Sequence, residues 1–303
     1  MAPHGGSPTA STSVEPLVVD AHTHIFPPEI VQGREQFLLR DLWFGELYAN
    51  PKANLINADD LIVSMTEAGV VQSVICGFPW RDLGLCREHN DYMAEACAAS
   101  NGRLVWLGIV SPHVTDAAGE ADRCLRLGAL GLGEFNADAQ GFDLTDRAAL
   151  ADVMEVAVAH DRPILLHSSE PAGHHYPGKG TATPDRLISF LTTFPALRVA
   201  LAHWGGGLPF YELMPEVAAA TARAAYDSAA TTYLYRPHVF RVVTDLVGAG
   251  RVMFASDFPV LRQNRLLRQV RSLPWRDEGE MRDVLERTAR AFYRIPLPTG
   301  ADV

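Results

Sequence analysis

Residues 17–24 read LVVDAHTH, an apolar run that ends in two histidines one residue apart. A short apolar run of this kind predicts a strand buried on both faces. Seven similar runs follow: QSVICGF at 72–78, RLVWLGIV at 103–110, ALGLGEF at 129–135, PILLHS at 163–168, LRVALAHW at 197–204, AAYDSAA at 224–230 and RVMFASDF at 251–258. Amphipathic stretches fill the gaps, with helices expected over 59–68, 87–100, 116–127, 145–161, 183–194, 209–222, 237–249 and 279–292. Asp59 and Asp60 offer an N-cap pair before the first of these, and Gly69 offers its stop. Thr183-Pro184-Asp185 reads as cap, first helical residue and acidic first turn. Eight strands alternating with helices predict an α/β fold, a (β/α)8 TIM barrel, with a doubly wound open sheet as the alternative.

One segment breaks the alternation. Residues 25–58 are too long for a simple strand-to-helix loop and carry Phe26, Phe37, Trp43, Phe44 and Tyr48. This insertion after strand one either packs on the outside of the barrel or on a second subunit, or forms a lid over the mouth.

The rest of the chain sets bounds. Its 303 residues are 48% hydrophobic and 20% charged, which suits one barrel domain over 14–303. Residues 1–13, MAPHGGSPTASTS, have no basic or apolar segment of a secretory signal and read as a disordered leader. A formal net charge of −10 provides no global field for nucleic acid or anionic membrane. No apolar run reaches the roughly 18 residues of a membrane span. Cys76, Cys86, Cys97 and Cys124 form no C-x-x-C pair and read as free thiols of a cytoplasmic protein. The expected partners are a small-molecule substrate and a second copy in a homodimer.

Five polar residues close otherwise apolar strands: His22 and His24 on strand one, His167 on strand five, His203 on strand six and Asp257 on strand eight. Residues two apart on a strand point the same way, so His22 and His24 can converge on one ion. Imidazoles and a carboxylate are donors that a Zn2+-like cation takes. The intervals suit a barrel: 143 residues from His24 to His167, 36 to His203, then 54 to Asp257, for four, one and two strand–helix units. Polar groups at the mouth end of barrel strands read as catalytic. His89, His113, His160 and His238 fall in helices or loops and read as structural.

DAHTH at 20–24, LLHSSEP at 165–171, LAHWGGG at 201–207 and ASDFP at 255–259 together resemble the amidohydrolase superfamily. More narrowly they are similar to its amidohydrolase-related, aminocarboxymuconate-semialdehyde decarboxylase-like branch of metal-dependent hydrolases, over about residues 17–292. The resemblance implies a barrel with a divalent metal, zinc as a rule. It also implies His22, His24, His167 and Asp257 as ligands and His203 as the catalytic histidine. Binuclear branches often use a carboxylated lysine on strand four. Here the only lysines are Lys52 and Lys179, both in loops. Glu134, at the end of strand four, is the candidate for a second metal or for a group that orients a ligand, and one metal per chain is expected.

Two reactions follow from that set. The first expectation is hydrolysis of a small anionic amide, ester or lactone by a metal-activated water, with Asp257 moving the proton and His203 orienting the water. The alternative is non-oxidative decarboxylation of a small unsaturated or aromatic acid. A barrel that binds a metal without catalysis is a third reading, disfavoured by the intact ligand set.

Residues 173–180, GHHYPGKG, nearly match the phosphate-cradling G-x-x-x-x-G-K-[ST]. The hydroxyl position is Gly180, however, and the helix signal comes only at Thr183-Pro184, so its amides are misplaced for a phosphate. Because the loop follows His167, Glu170, His174, His175, Tyr176 and Lys179 are instead candidates to clamp an anionic substrate. Trp80 and Arg81 after strand two, and Tyr235 and Arg236 after strand seven, are further candidates for an anion contact or aromatic wall.

Overall fold

The computed structural model describes residues 16–298, so the expected leader at 1–13 lies outside the described residues. Eight strands form: β1 Val19–His24, β2 Gln72–Cys76, β3 Leu104–Gly108, β4 Gly131–Phe135, β5 Ile164–Leu166, β6 Val199–Leu201, β7 Ala224–Asp227 and β8 Val252–Met253. Each pairs in parallel with the next, in sequence order. The ring closes where β1 meets the segment after β8: Ala21 N donates to Phe254 O at 2.9 Å, and His24 N to Phe258 O at 2.8 Å. The expected (β/α)8 barrel is therefore the fold.

Strand periodicity divides the core in two. Alternate residues such as Val19, Ala21, Val74, Cys76, Val105 and Leu107 fill the barrel interior. Their neighbours Ile75, Leu104, Trp106, Leu132 and Ile164 join the larger cluster under the helices. Each such branched side chain contributes about 1.5–3 kcal/mol when fully buried, so apolar residues are favoured on both faces of every strand.

The helices follow the expected pattern with local corrections. The helix Ala58–Ala68 is capped by Asn57, not by Asp59 or Asp60. Asn57 Oδ1 accepts from Asp60 N at 3.0 Å and Asp60 Oδ2 accepts from Asn57 N at 3.1 Å, a reciprocal capping box. Gly69 ends it in the left-handed region, as expected. The stretch expected as a helix over 209–222 divides into a 3-10 turn, Leu208–Tyr211, and the short helix Pro215–Ala220, because Pro215 can only begin a helix. Gln263–Arg271 is a further helix, whose apolar Leu266, Leu267 and Val270 are buried among arginines on the other faces.

The insertion folds into three short helices, Pro28–Gln32, Arg34–Phe37 and Leu42–Tyr48. Asp41 caps the third, accepting from Phe44 N at 2.9 Å, and its other oxygen accepts from Arg81 N at 3.2 Å. Phe44 stacks 5.2 Å from Trp80 and 5.4 Å from Phe78, binding the insertion to the loop after β2. Aromatic contacts of this kind contribute about 0.5–1.5 kcal/mol each beyond area burial. Trp80 thus belongs to the packing that holds the insertion in place.

Candidate active site

The strand ends deliver the polar residues to one place. His22 and His24 close β1, Glu134 lies in β4 beside a register shift between Leu132 and Phe135, and His167 directly follows β5. After β6 the chain makes a left-handed turn, with φ of 56° at His203, 60° at Trp204, 57° at Gly205, 59° at Gly206 and 93° at Gly207. For the two non-glycine residues that conformation costs about 1–2 kcal/mol each. The surroundings hold them there: Asp227 Oδ1 accepts from His203 N at 3.0 Å, and Trp204 Nε1 donates to Thr231 Oγ1 at 3.0 Å. Asp257 also sits at a positive φ of 61°, anchored by its N–H to His22 O at 2.9 Å. Strained positions of this kind collect where side-chain direction matters more than local stability.

The donor atoms fall into two adjoining groups, His22–His24–Asp257 and Glu134–His167–His203, each within 4.8 Å internally. His22 Nε2 and His24 Nε2 face each other at 3.0 Å. Asp257 Oδ1 lies 3.3 Å from His24 Nε2, and Glu134 Oε2 lies 3.5 Å from His22 Nε2. Glu134 Oε1 reaches His167 Nδ1 at 2.9 Å and His203 Nε2 at 3.4 Å. His167 thus lies beside Glu134 and His203, and Glu134 joins that group to His22 and His24.

This arrangement fits a divalent cation. His22 Nδ1 donates to Asp227 Oδ2 at 2.9 Å, which leaves the lone pair of the neutral ring on Nε2, turned toward His24. Two ring nitrogens and two carboxylates around one point need positive charge among them. The protonation tendencies say the same. Burial opposes charge on His22, yet Glu134 and Asp227 push its pKa well above the ordinary value. Burial likewise favours a neutral Asp257, but the hydrogen bond from His24 and the charges of His22 and His203 hold it down at about 2. Burial disfavours protonated His203 too, and the hydrogen bond to Glu134 with the nearby carboxylates raises it to about 9.

Two residues passed over in the sequence support this set. Asp227, the last residue of β7, is fully buried and serves both His22 and the backbone of His203. Asp20 accepts from Ser256 N at 2.9 Å and Gln263 Nε2 at 2.8 Å, tying β1 to the turn that carries Asp257. Burial raises the Asp20 carboxyl to about 6. Both lie inside apolar runs, LVVDAHTH and AAYDSAA, where a charged residue in a buried strand was itself the signal.

Above the cluster opens a cavity of about 290 Å³, near the lower bound of ordinary ligand pockets. Trp43, Leu47 and Tyr48 of the insertion form one wall, with Phe78 and Pro79 beside them. Tyr233, Leu234 and Val260 also line it. The insertion therefore packs on the loop after β2 and also walls the mouth. Of the expected clamp, His174 and Tyr176 line the cavity, and Glu170, His175 and Lys179 do not. Lys179 Nζ donates to Ala172 O at 2.8 Å and His174 O at 3.2 Å within its own loop. Glu170 Oε2 accepts from Tyr176 OH at 2.9 Å, an anchor for that loop. The helix after the loop starts at Pro184, beyond the Gly-Lys-Gly. Arg81, Tyr235 and Arg236 are outside the cavity wall.

His89 is structural, as expected. Trp80 Nε1 donates to its Nδ1 at 3.0 Å, and its Nε2 donates to Ile25 O at 2.7 Å. Among the described residues no helix is long and apolar enough to cross a membrane.

Comparison with known proteins gives a consistent result. The family described as amidohydrolase matches residues 19–295. The 6-methylsalicylic acid decarboxylase of Penicillium expansum is 24% identical over 287 residues, 82% of this chain and 87% of that protein. The solved 5-carboxyvanillate decarboxylase of Sphingomonas paucimobilis has a TM-score of 0.78 at 18% identity, covering 92% of this chain and 99% of that one. A dihydroxybenzoic acid decarboxylase from a Polaromonas species, solved with manganese and the inhibitor 2-nitroresorcinol, has a TM-score of 0.73 at 17% identity, covering 92% and 97%. At such identities the solved structures establish the fold. These relatives overturn the expectation of amide, ester or lactone hydrolysis: they are decarboxylases, the outcome named as the alternative. The ligand set could not separate the two reactions, because a similar group of imidazoles and carboxylates can serve either.

Proposed function

Because the chain belongs to the amidohydrolase family, we propose that it is a metal-dependent, non-oxidative decarboxylase of a one-ring aromatic acid. The observation that carries this reading is a buried histidine–carboxylate cluster at the floor of a small cavity walled by aromatic and aliphatic side chains. The decarboxylases among its relatives support it.

His22, His24, His167 and Asp257 are the residues proposed to hold the cation, with Glu134 beside them. When bound, a divalent cation supplies a Lewis acid that fixes the oxygens of the substrate and neutralises their charge. The chain does the rest. Trp43, Tyr48 and Phe78 hold the ring flat and exclude water. The ring carbon that carries the carboxylate takes a proton, the bond to the carboxyl carbon breaks, its electron pair restores the aromatic ring, and CO2 leaves. We assign the proton to His203, whose Nδ1 lies 4.0 Å from Asp257 Oδ2 and donates to Ala229 O at 3.3 Å. These contacts keep the imidazole oriented and offset its charge.

For the metal, the imidazole-rich set suits Zn2+, whereas manganese is the ion in a solved relative; elemental analysis and reconstitution with each ion separate them. The four cysteines are free thiols, which suits the proposed cytoplasmic location. Leu39 and Leu42 of the insertion are 92% and 83% exposed, apolar surface of the kind a homodimer contact covers, and sedimentation velocity tests the dimer.

The reaction is tested by incubating the metal-loaded protein with hydroxybenzoates in D2O. One CO2 per product and one deuterium on the vacated ring carbon are expected. Product without CO2 release would sink the decarboxylase reading.

A further inference from the structure

We infer that the cavity selects an acid with a single carboxylate and neutral ring substituents, and that it rejects a second carboxylate on the same ring. This rests on the decarboxylase reading and names the class of acid that the same site takes. The floor and the wall differ in charge chemistry. The clustered donors His24, Glu134, His167, His203 and Asp257 lie on the floor, so one carboxylate can be neutralised there, and His174 is the one further imidazole among the described lining residues. The wall is mostly apolar, with Trp43, Leu47, Phe78, Leu234 and Val260 in it, and among the described lining residues none is Arg or Lys.

The cations that stand nearby in sequence are turned elsewhere. Lys179 Nζ is bound by two carbonyls of its own loop and lies 5.7 Å over the Tyr176 ring. The Arg81 guanidinium packs against Gly141, where an added Cβ would meet it at 2.8 Å. A neutral polar group does face the cavity: Asn136, whose Oδ1 is taken by the amides of Asp138 at 3.1 Å and Ala139 at 3.0 Å, leaving its NH2 as a donor. That donor suits a ring hydroxyl. A second carboxylate against this wall would exchange water for apolar side chains without a counterion. Glu134, Asp227 and Asp257 beneath the ring would repel it further. A methyl group at the same ring position would instead gain from burial.

The experiment compares two hydroxybenzoates that differ at one ring position, methyl in one and carboxylate in the other. It uses metal-loaded protein at pH 8. Both kcat/KM and the Kd of unreactive nitro analogues are measured, the latter by quenching of tryptophan fluorescence. The methyl acid is expected to be favoured by about 30-fold or more, some 2 kcal/mol at the tenfold constant. Parity, or preference for the diacid, overturns the inference, and so does failure of both to bind. If neither acid loses CO2 while the methyl analogue binds more tightly, the decarboxylase reading fails and only the charge selectivity of the cavity stands. Val260→Arg, at a position 47% exposed on the rim, is expected to narrow the ratio by improving diacid binding. An unchanged ratio in a variant with native circular dichroism would show that the neutral wall is not the source of selection.

Discussion

The Asp227 carboxylate bridges two parts of the site, accepting from His22 Nδ1 at 2.9 Å through Oδ2 and from the His203 backbone N–H at 3.0 Å through Oδ1. One buried side chain thereby sets both the tautomer of a proposed metal ligand and the left-handed turn that aims the proposed proton donor. Carboxylate partners of metal-binding histidines are typically worth about 10–100-fold in metal affinity. Asp227→Asn is therefore expected to weaken metal binding by about that factor, measured by competition with a chromophoric chelator. Unchanged affinity would reduce Asp227 to a packing role.

Metal content follows from the crowding of donors. Glu134 lies 3.5 Å from His22 and 2.9 Å from His167, and the proposal of one cation per chain predicts an elemental ratio near one. A ratio near two would give Glu134 a bridging role. His24→Ala is expected to lower metal occupancy by about tenfold or more.

Gly206 lies at φ 59°, and a Cβ there would stand 2.3 Å from Ser169 O. Gly206→Ala combines left-handed strain with a backbone clash, so a loss of about 2 kcal/mol or more in stability is expected. Denaturant unfolding measures it. Because the turn carries His203, kcat should fall with it, while Gly250→Ala, in open space, serves as the control.

His89 gives a pH signature separate from the site. Burial lowers its pKa from 6.5 to about 4, against the hydrogen bond to Ile25 O. Between those values the unfolded chain binds the proton and the folded one does not, so stability is full above pH 6.5 and falls as pH drops through the window. At pH 5 the loss is about 2 kcal/mol. Urea unfolding at pH 7 and pH 5 checks it. The difference should shrink by that amount in His89→Leu, and an equal difference in both proteins would exclude His89 as the source.

Trp43 lines the cavity from the insertion. Trp43→Ala is expected to raise KM for the aromatic acid about tenfold or more through lost ring contact, with metal content unchanged. Equal KM values would return the insertion to a purely structural role.

Much of this protein was legible in the chain itself. Eight apolar runs separated by amphipathic stretches specify the barrel, because period-2 and period-3.6 burial are local properties of sequence. His22, His24, His167, His203 and Asp257 stood out for the same reason, as polar residues at the ends of buried strands. Other features depended on distance in space. Asp227 is 205 residues from His22, and no local pattern pairs them. Lys179 read as a clamp because it follows His167, but the loop folds its ammonium onto its own carbonyls. The insertion's place at the mouth was decided by Phe44 packing on Trp80 and Phe78. Sequence determined which residues would be buried and which strand ends would be polar. Tertiary structure decided which polar groups meet, since hydrogen bonds and charge contacts act over a few ångströms between residues far apart in the chain.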